Sequence, residues 1–152
     1  MGLVAITVTE PPVSESAEDD VAERFRRAIG EFNCRHFFEC HETLEAIWIE
    51  DVRSHERRFF QGILQVAVGL LHLSNLNHRG ATNLLERGCD KLERFRPQQY
   101  GVDVDRLLRD ARACREAVTR LGKDRLEQFD RALIPTIELG DLRALEEDWR
   151  EV

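Results

Sequence analysis

At 152 residues the chain has the length of one ordinary domain, enough for a real core and too short for two comfortable ones. Hydrophobic residues make up 42%, which argues against a disordered chain. Twenty-nine acidic against 22 basic residues leave a net charge of -7. That balance repels polyanions, so no binding to nucleic acid or to a membrane surface is expected.

In chain order, residues 1 to about 15 end in Pro11-Pro12 and read as an extended or disordered arm. Ser16 is placed to cap a first helix, in which Val21, Phe25, Ala28, Ile29 and Phe32 recur at helical spacing. A second helix is predicted over about Arg35 to Glu50, followed by the short connection Asp51-Val52-Arg53-Ser54, with Ser54 as the next cap. The third, about His55 to Leu76, is apolar nearly all round, as a helix enclosed by others should be. Its Gly62 and Gly69 lie on one side, and the cost of about 1 kcal/mol for glycine in a helix implies close approach of a neighbour there.

Ala81, Leu84, Leu85, Cys89, Leu92 and Phe95 mark a fourth helix closed by Arg96-Pro97. Asp103 then caps a fifth, with Val102 and Leu107 spaced as a hydrophobic staple and Gly122 near its end. The remainder reads as a strap. The expected architecture is therefore all-α, an antiparallel multi-helix bundle around an apolar central helix at about 55–76. Its parts are an arm over 1–15, a bundle domain over 16–122 and a C-terminal helical strap over 123–152.

The four cysteines, Cys34, Cys40, Cys89 and Cys114, are spread without ligand spacing. In a chain without an export signal they read as reduced, small apolar residues of a cytoplasmic protein. The longest apolar run, Ile63 to Leu73, is well short of a membrane span.

Chemistry concentrates on the second and third helices. His41, Glu45 and Trp48 share one face of the former, while Arg57, Gln61, Gln65 and His72 form a polar stripe on the latter. Folding the second helix back on the third sets Glu45 opposite Gln61 and His41 opposite Gln65, with Trp48 opposite Arg57 or Arg58. Such rungs, if buried, must be hydrogen-bonded, because an unsatisfied buried polar group costs about 1–3 kcal/mol. They form either a structural network that fixes helix register or a pocket for a small polar ligand.

No metal site is expected. His41-Glu42-x-x-Glu45 resembles half of a zinc-protease helix, but Glu45 stands where the second histidine belongs. A ferritin-like set of carboxylates and histidines is missing as well. His41 with Glu45 could serve as an acid–base pair. Arg53, Arg57, Arg58 and Arg79 could form a local anion site, weighed against ordinary surface pairing with the many carboxylates.

The same residues carry a family resemblance. Phe32-Asn33, then the run Phe38-Glu39-Cys40-His41-Glu42-Thr43-Leu44-Glu45-Ala46-Ile47-Trp48, resemble the signature of domain-of-unknown-function family 309. So do the run Phe60-Gln61-Gly62-Ile63-Leu64-Gln65-Val66-Ala67, then His72, Asn77 and Gly80-Ala81. The resemblance spans about residues 20 to 122. It implies a compact all-helical domain and no particular activity. The family's polar signature falls on His41, Glu42, Glu45, Trp48, Gln61, Gln65 and His72; Cys40 and the stretch beyond about 125 depart from the pattern.

The reading that follows is a non-catalytic binding or interaction module with a polar site between helices two and three. The alternative is a metal-assisted or acid–base hydrolase using His41 and Glu45. A homo-oligomer, specifically a dimer, is expected, because Leu133, Ile137, Leu142, Leu145 and Trp149 exceed what one strap needs.

Overall fold

The apolar positions Val21, Phe25, Ala28, Ile29 and Phe32 do fall on one face of a helix, α1 (Ala17–Asn33), and all but the half-buried Val21 are buried. The structure is a computed structural model that describes residues 17–49 and 54–140. The expected N-terminal arm, the Ser16 cap, the connection through Asp51 to Arg53 and the tail residues Leu142, Leu145 and Trp149 lie outside them, as do the side chains of Trp48 and Ser54.

Four further α-helices follow among the described residues: α2 (Phe37–Ile49), α3 (Ser54–Ser74), α4 (His78–Leu92) and α5 (Val104–Leu121). The fold is all-α. The one sheet among the described residues is a hairpin, β1 (Gln98–Gln99) with β2 (Val102–Asp103). Its two turn residues, Tyr100 and Gly101, both take positive φ, 48° and 76°, as the right-handed twist of a two-residue hairpin demands. With strands of only two residues, the hairpin leaves no alternating pattern in the sequence ahead of the α5 cap. That cap is as expected: Asp103 accepts from the Arg106 backbone amide at 3.0 Å, and Gly122 ends the helix at φ 72°.

α3 lies against α2 and α4, most extensively on α4, and α1 reaches it through the Phe25 ring. Phe25 from α1 meets Phe59 and Phe60 from α3, and Phe95 and the hairpin's Tyr100 complete an aromatic cluster, with Tyr100 stacked on Phe60. The close approach implied by the glycines is real. A methyl group on Gly69 would stand 2.9 Å from the Leu85 nitrogen, and one on Gly88 would stand 2.8 Å from the Gly62 carbonyl oxygen. The helix α3 is not enclosed on every side, however. Gln61, Leu64, Gln65, Val68, Leu71 and His72 form a half-buried stripe along it.

Beyond α5 the chain continues in two short 3-10 segments, Lys123–Gln128 and Arg131–Leu133, and an extended stretch to Gly140. This strap is tied to the bundle. The Asn33 side chain exchanges two hydrogen bonds with the Ile137 backbone, Val102 bridges Leu139, and the Gly140 amide donates to the Gly101 carbonyl. Ile137 is buried inside its own chain and is thereby withdrawn from the set expected to build a dimer.

Candidate functional site

On α2 the i, i+4 spacing brings His41 Nε2 to 3.0 Å from Glu45 Oε2. The side chains are 30% and 45% exposed, so the pair sits at the surface and is not part of a sealed network. One turn earlier Phe38 places its ring centroid 6.3 Å from that of His41. Leu44, Ile47 and Cys40 take the inward face of α2. Thr43 donates to Glu31 at 2.6 Å and fixes α2 against α1.

The expected rungs to α3 do not form among the described residues: no hydrogen bond joins His41 or Glu45 to Gln61 or Gln65. Gln65 turns to α4, where its Oε1 accepts from Lys91 Nζ at 2.8 Å. The physical reason is the glycine contact, which brings the α4 backbone so near that the polar edge of α3 falls within reach of an α4 side chain. Gln61 is half-buried on the same edge, and Arg57 is exposed near the start of the helix. The Trp48 side chain is outside the described residues. Glu56, in the first turn of α3 where unpaired amides favour a negative charge, is buried.

His72 belongs to a separate motif at the α3–α4 turn. Asn77 caps α4, its Oδ1 accepting from the Gly80 amide at 2.9 Å. That occupies the amide oxygen, so Nδ2 faces the ring and donates to His72 Nδ1 at 3.2 Å, which puts the imidazole proton of the neutral form on Nε2. Gly80 leaves room for the ring, since a methyl there would lie 2.6 Å from His72 Cγ. The neighbouring His78 spans to α5 and donates from Nε2 to the Val118 carbonyl at 3.1 Å. This bond joins positions 40 apart in the chain and carries no local sequence signal.

A cavity of about 260 Å³ opens where the α1–α2 turn, the end of α3 and the strap meet. Phe37, Leu73, Leu126, Phe129 and Ile134 supply apolar walls, with Arg35 and Arg131 also lining it. Arg35 Nη2 donates to the Arg131 carbonyl at 3.1 Å and closes one side. Three large hydrophobic side chains are exposed among the described residues. Leu76, 55% exposed, lines the cavity, while Phe38 at 53% and Leu133 at 40% adjoin the lining residues Phe37 and Ile134.

No group of three or more His, Cys, Asp or Glu among the described residues is arranged to hold a metal ion. Burial pushes the Cys40 and Cys114 thiols up to about 12 and the Cys89 thiol up to about 11, so at neutral pH they are protonated. No helix among the described residues is long and apolar enough to cross a membrane.

Comparison with known proteins agrees with the signature on α2 and α3. The family model described as Domain of unknown function (DUF309) matches residues 25–84, from the middle of α1 into α4. Uncharacterized protein YpuF of Bacillus subtilis (strain 168) is 38% identical over 76 residues, covering 49% of this chain. The match spans 44% of that relative, less than half its length. His41, Glu45, Gln61, Gln65 and His72 lie inside the family match, whereas Lys91 and the strap lie beyond it.

Proposed function

For a chain that carries the DUF309 pattern over residues 25–84, we propose a non-catalytic interaction module whose partner is a second copy of itself. The observation that carries this reading is the apolar-walled 260 Å³ cavity lined by the exposed Leu76, with the exposed Phe38 and Leu133 next in the chain to its lining residues Phe37 and Ile134. An isologous interface needs a surface that fits its own image, with a projection and a recess on the same patch. In this reading the exposed Leu76, Phe38 and Leu133 supply projections, and the cavity between Phe37, Leu73 and Phe129 supplies the recess. The charges are mixed in the same way, with Arg35 and Arg131 against Glu127. His41 and Glu45 extend this face along α2 and form its polar rim.

Sedimentation tests the proposal. The full chain should run as a dimer at about 100 µM, and Phe38→Asp or Leu133→Asp should run as a monomer with unchanged helicity. A monomeric wild-type protein, or a dimer indifferent to both substitutions, overturns it.

The hydrolase reading rests on the 3.0 Å His41–Glu45 contact, which is short enough for proton exchange. It requires hydrolysis of model esters, amides or phosphoesters that His41→Ala and Glu45→Ala both abolish. Turnover indifferent to these substitutions rules the pair out as the machinery.

A further inference from the structure

The contact between Gly62 and Gly88 determines where the side chains on either side of it converge. Arg58 lies one turn before Gly62 on α3 and Gln65 one turn after it. Arg87 and Lys91 flank Gly88 on α4, and Arg94 follows in the 3-10 turn. Arg58, Arg87, Lys91 and Arg94 line one basin of about 260 Å³, with Asp90 as the only carboxylate among the described residues that line it.

Asp90 does not neutralise them. Among the described residues no carboxylate stands within ion-pair distance of any of the four cations, whereas Arg26, Arg96, Arg106, Arg112, Arg115 and Arg120 each have an acidic partner. The Lys91 ammonium is held in place by its 2.8 Å bond to Gln65. Burial, then the charges of Arg87 and Arg58, hold its pKa below the ordinary value. Four cations thus repel one another across a small basin in a chain of net charge -7, where acidic partners are plentiful.

We propose that this basin binds the phosphoryl groups of a small phosphorylated molecule, with Arg87, Arg94 and Arg58 as guanidinium forks and Lys91, positioned by Gln65, as the central point charge. Guanidinium pairs with phosphate oxygens bidentately, and lysine adds charge without that geometry, so three forks around one ammonium suit a di- or triphosphate better than a single carboxylate. The volume lies just below the roughly 300–1,000 Å³ of drug-sized sites, which suits a compact polar group. A long nucleic acid is disfavoured by the net negative charge outside the basin. The site is separate from the proposed dimer face, and Arg87, Lys91 and Arg94 lie beyond the region that matches the family.

The test is calorimetric titration of the full chain with sodium pyrophosphate at a constant ionic strength of about 0.1 M. Orthophosphate, sulfate and a short single-stranded RNA serve as comparators. Pyrophosphate should bind with a dissociation constant below about 1 mM and more tightly than orthophosphate or sulfate. The exposed double variant Arg87→Gln/Arg94→Gln should weaken it by about tenfold or more, while Arg106→Gln/Arg120→Gln on α5 should leave it unchanged. No detectable heat, equal loss in both double variants, or RNA binding tighter than pyrophosphate overturns the proposal. The dimer mass, unaffected by Arg87→Gln/Arg94→Gln, keeps this outcome distinct from that of the self-association reading.

Discussion

Asn33, the last residue of α1, holds Ile137 as a neighbouring strand would: its Nδ2 donates to the Ile137 carbonyl at 2.8 Å and its Oδ1 accepts from the Ile137 amide at 2.7 Å. The two residues are 104 positions apart, and this pair fastens the strap to the first helix. Asn33→Ala removes both partners from a part-buried backbone unit and should destabilise the protein by about 2 kcal/mol. Asn33→Asp, which sets a carboxylate oxygen against the Ile137 carbonyl where the amide donor stood, should cost at least as much as Asn33→Ala in urea denaturation. A loss of less than about 0.5 kcal/mol for Asn33→Ala would mean that the strap contributes little to the fold.

Two glycines should respond to alanine with opposite signs. Gly88→Ala drives a methyl against the Gly62 carbonyl and the Val66 nitrogen, which are backbone atoms that move only if α3 and α4 separate. A loss of about 1–3 kcal/mol is expected. Gly30, within α1, has nothing within 4 Å of the added methyl, so Gly30→Ala should gain about 0.5–1 kcal/mol by restricting the unfolded chain. Thermal unfolding of the two variants side by side provides the comparison.

The three buried thiols set an alkaline limit. Each keeps its proton in the folded state up to about pH 11 or 12, whereas in the unfolded chain it ionises from its ordinary value of 9.0. The folded state therefore binds more protons above pH 9, and stability present below that point is lost as pH rises towards 11–12. Urea midpoints measured from pH 8 upward should fall, and Cys114→Ala should flatten the decline. An identical slope in that variant would assign the loss to other groups.

Glu45→Ala should change stability by no more than about 0.5 kcal/mol, since a half-exposed i, i+4 pair on one helix contributes little and is weakened further by salt. Had the rungs expected from helix register been buried, the same substitution would cost about 2–4 kcal/mol. Urea denaturation at low and high salt distinguishes the two.

That contrast shows how far the sequence could be read. Caps and close approaches are local or written in composition, so Asp103, Gly122 and the glycines of α3 declared themselves before any coordinates. The polar stripe of α3 was equally visible, but periodicity gives a face and not the neighbour that takes it. Gln65 could have met His41; instead α4 came near enough at Gly88 for Lys91 to claim it. The Asn33–Ile137 pair, the cavity lined by Phe37, Leu73, Leu76 and Ile134, and the cationic basin each join positions far apart in the chain. No window of residues contains their signal.

Among the four thiols, the exposure of Cys34 sets it apart from the three that the core encloses. The molecule thus offers a single natural attachment point for a maleimide dye. That point lies between Asn33, which holds the strap through Ile137, and Arg35, which holds it through the Arg131 carbonyl. A fluorophore on Cys34 would sit on the latch of the C-terminal segment and report its release in real time, with no engineered cysteine and no substitution elsewhere in the chain.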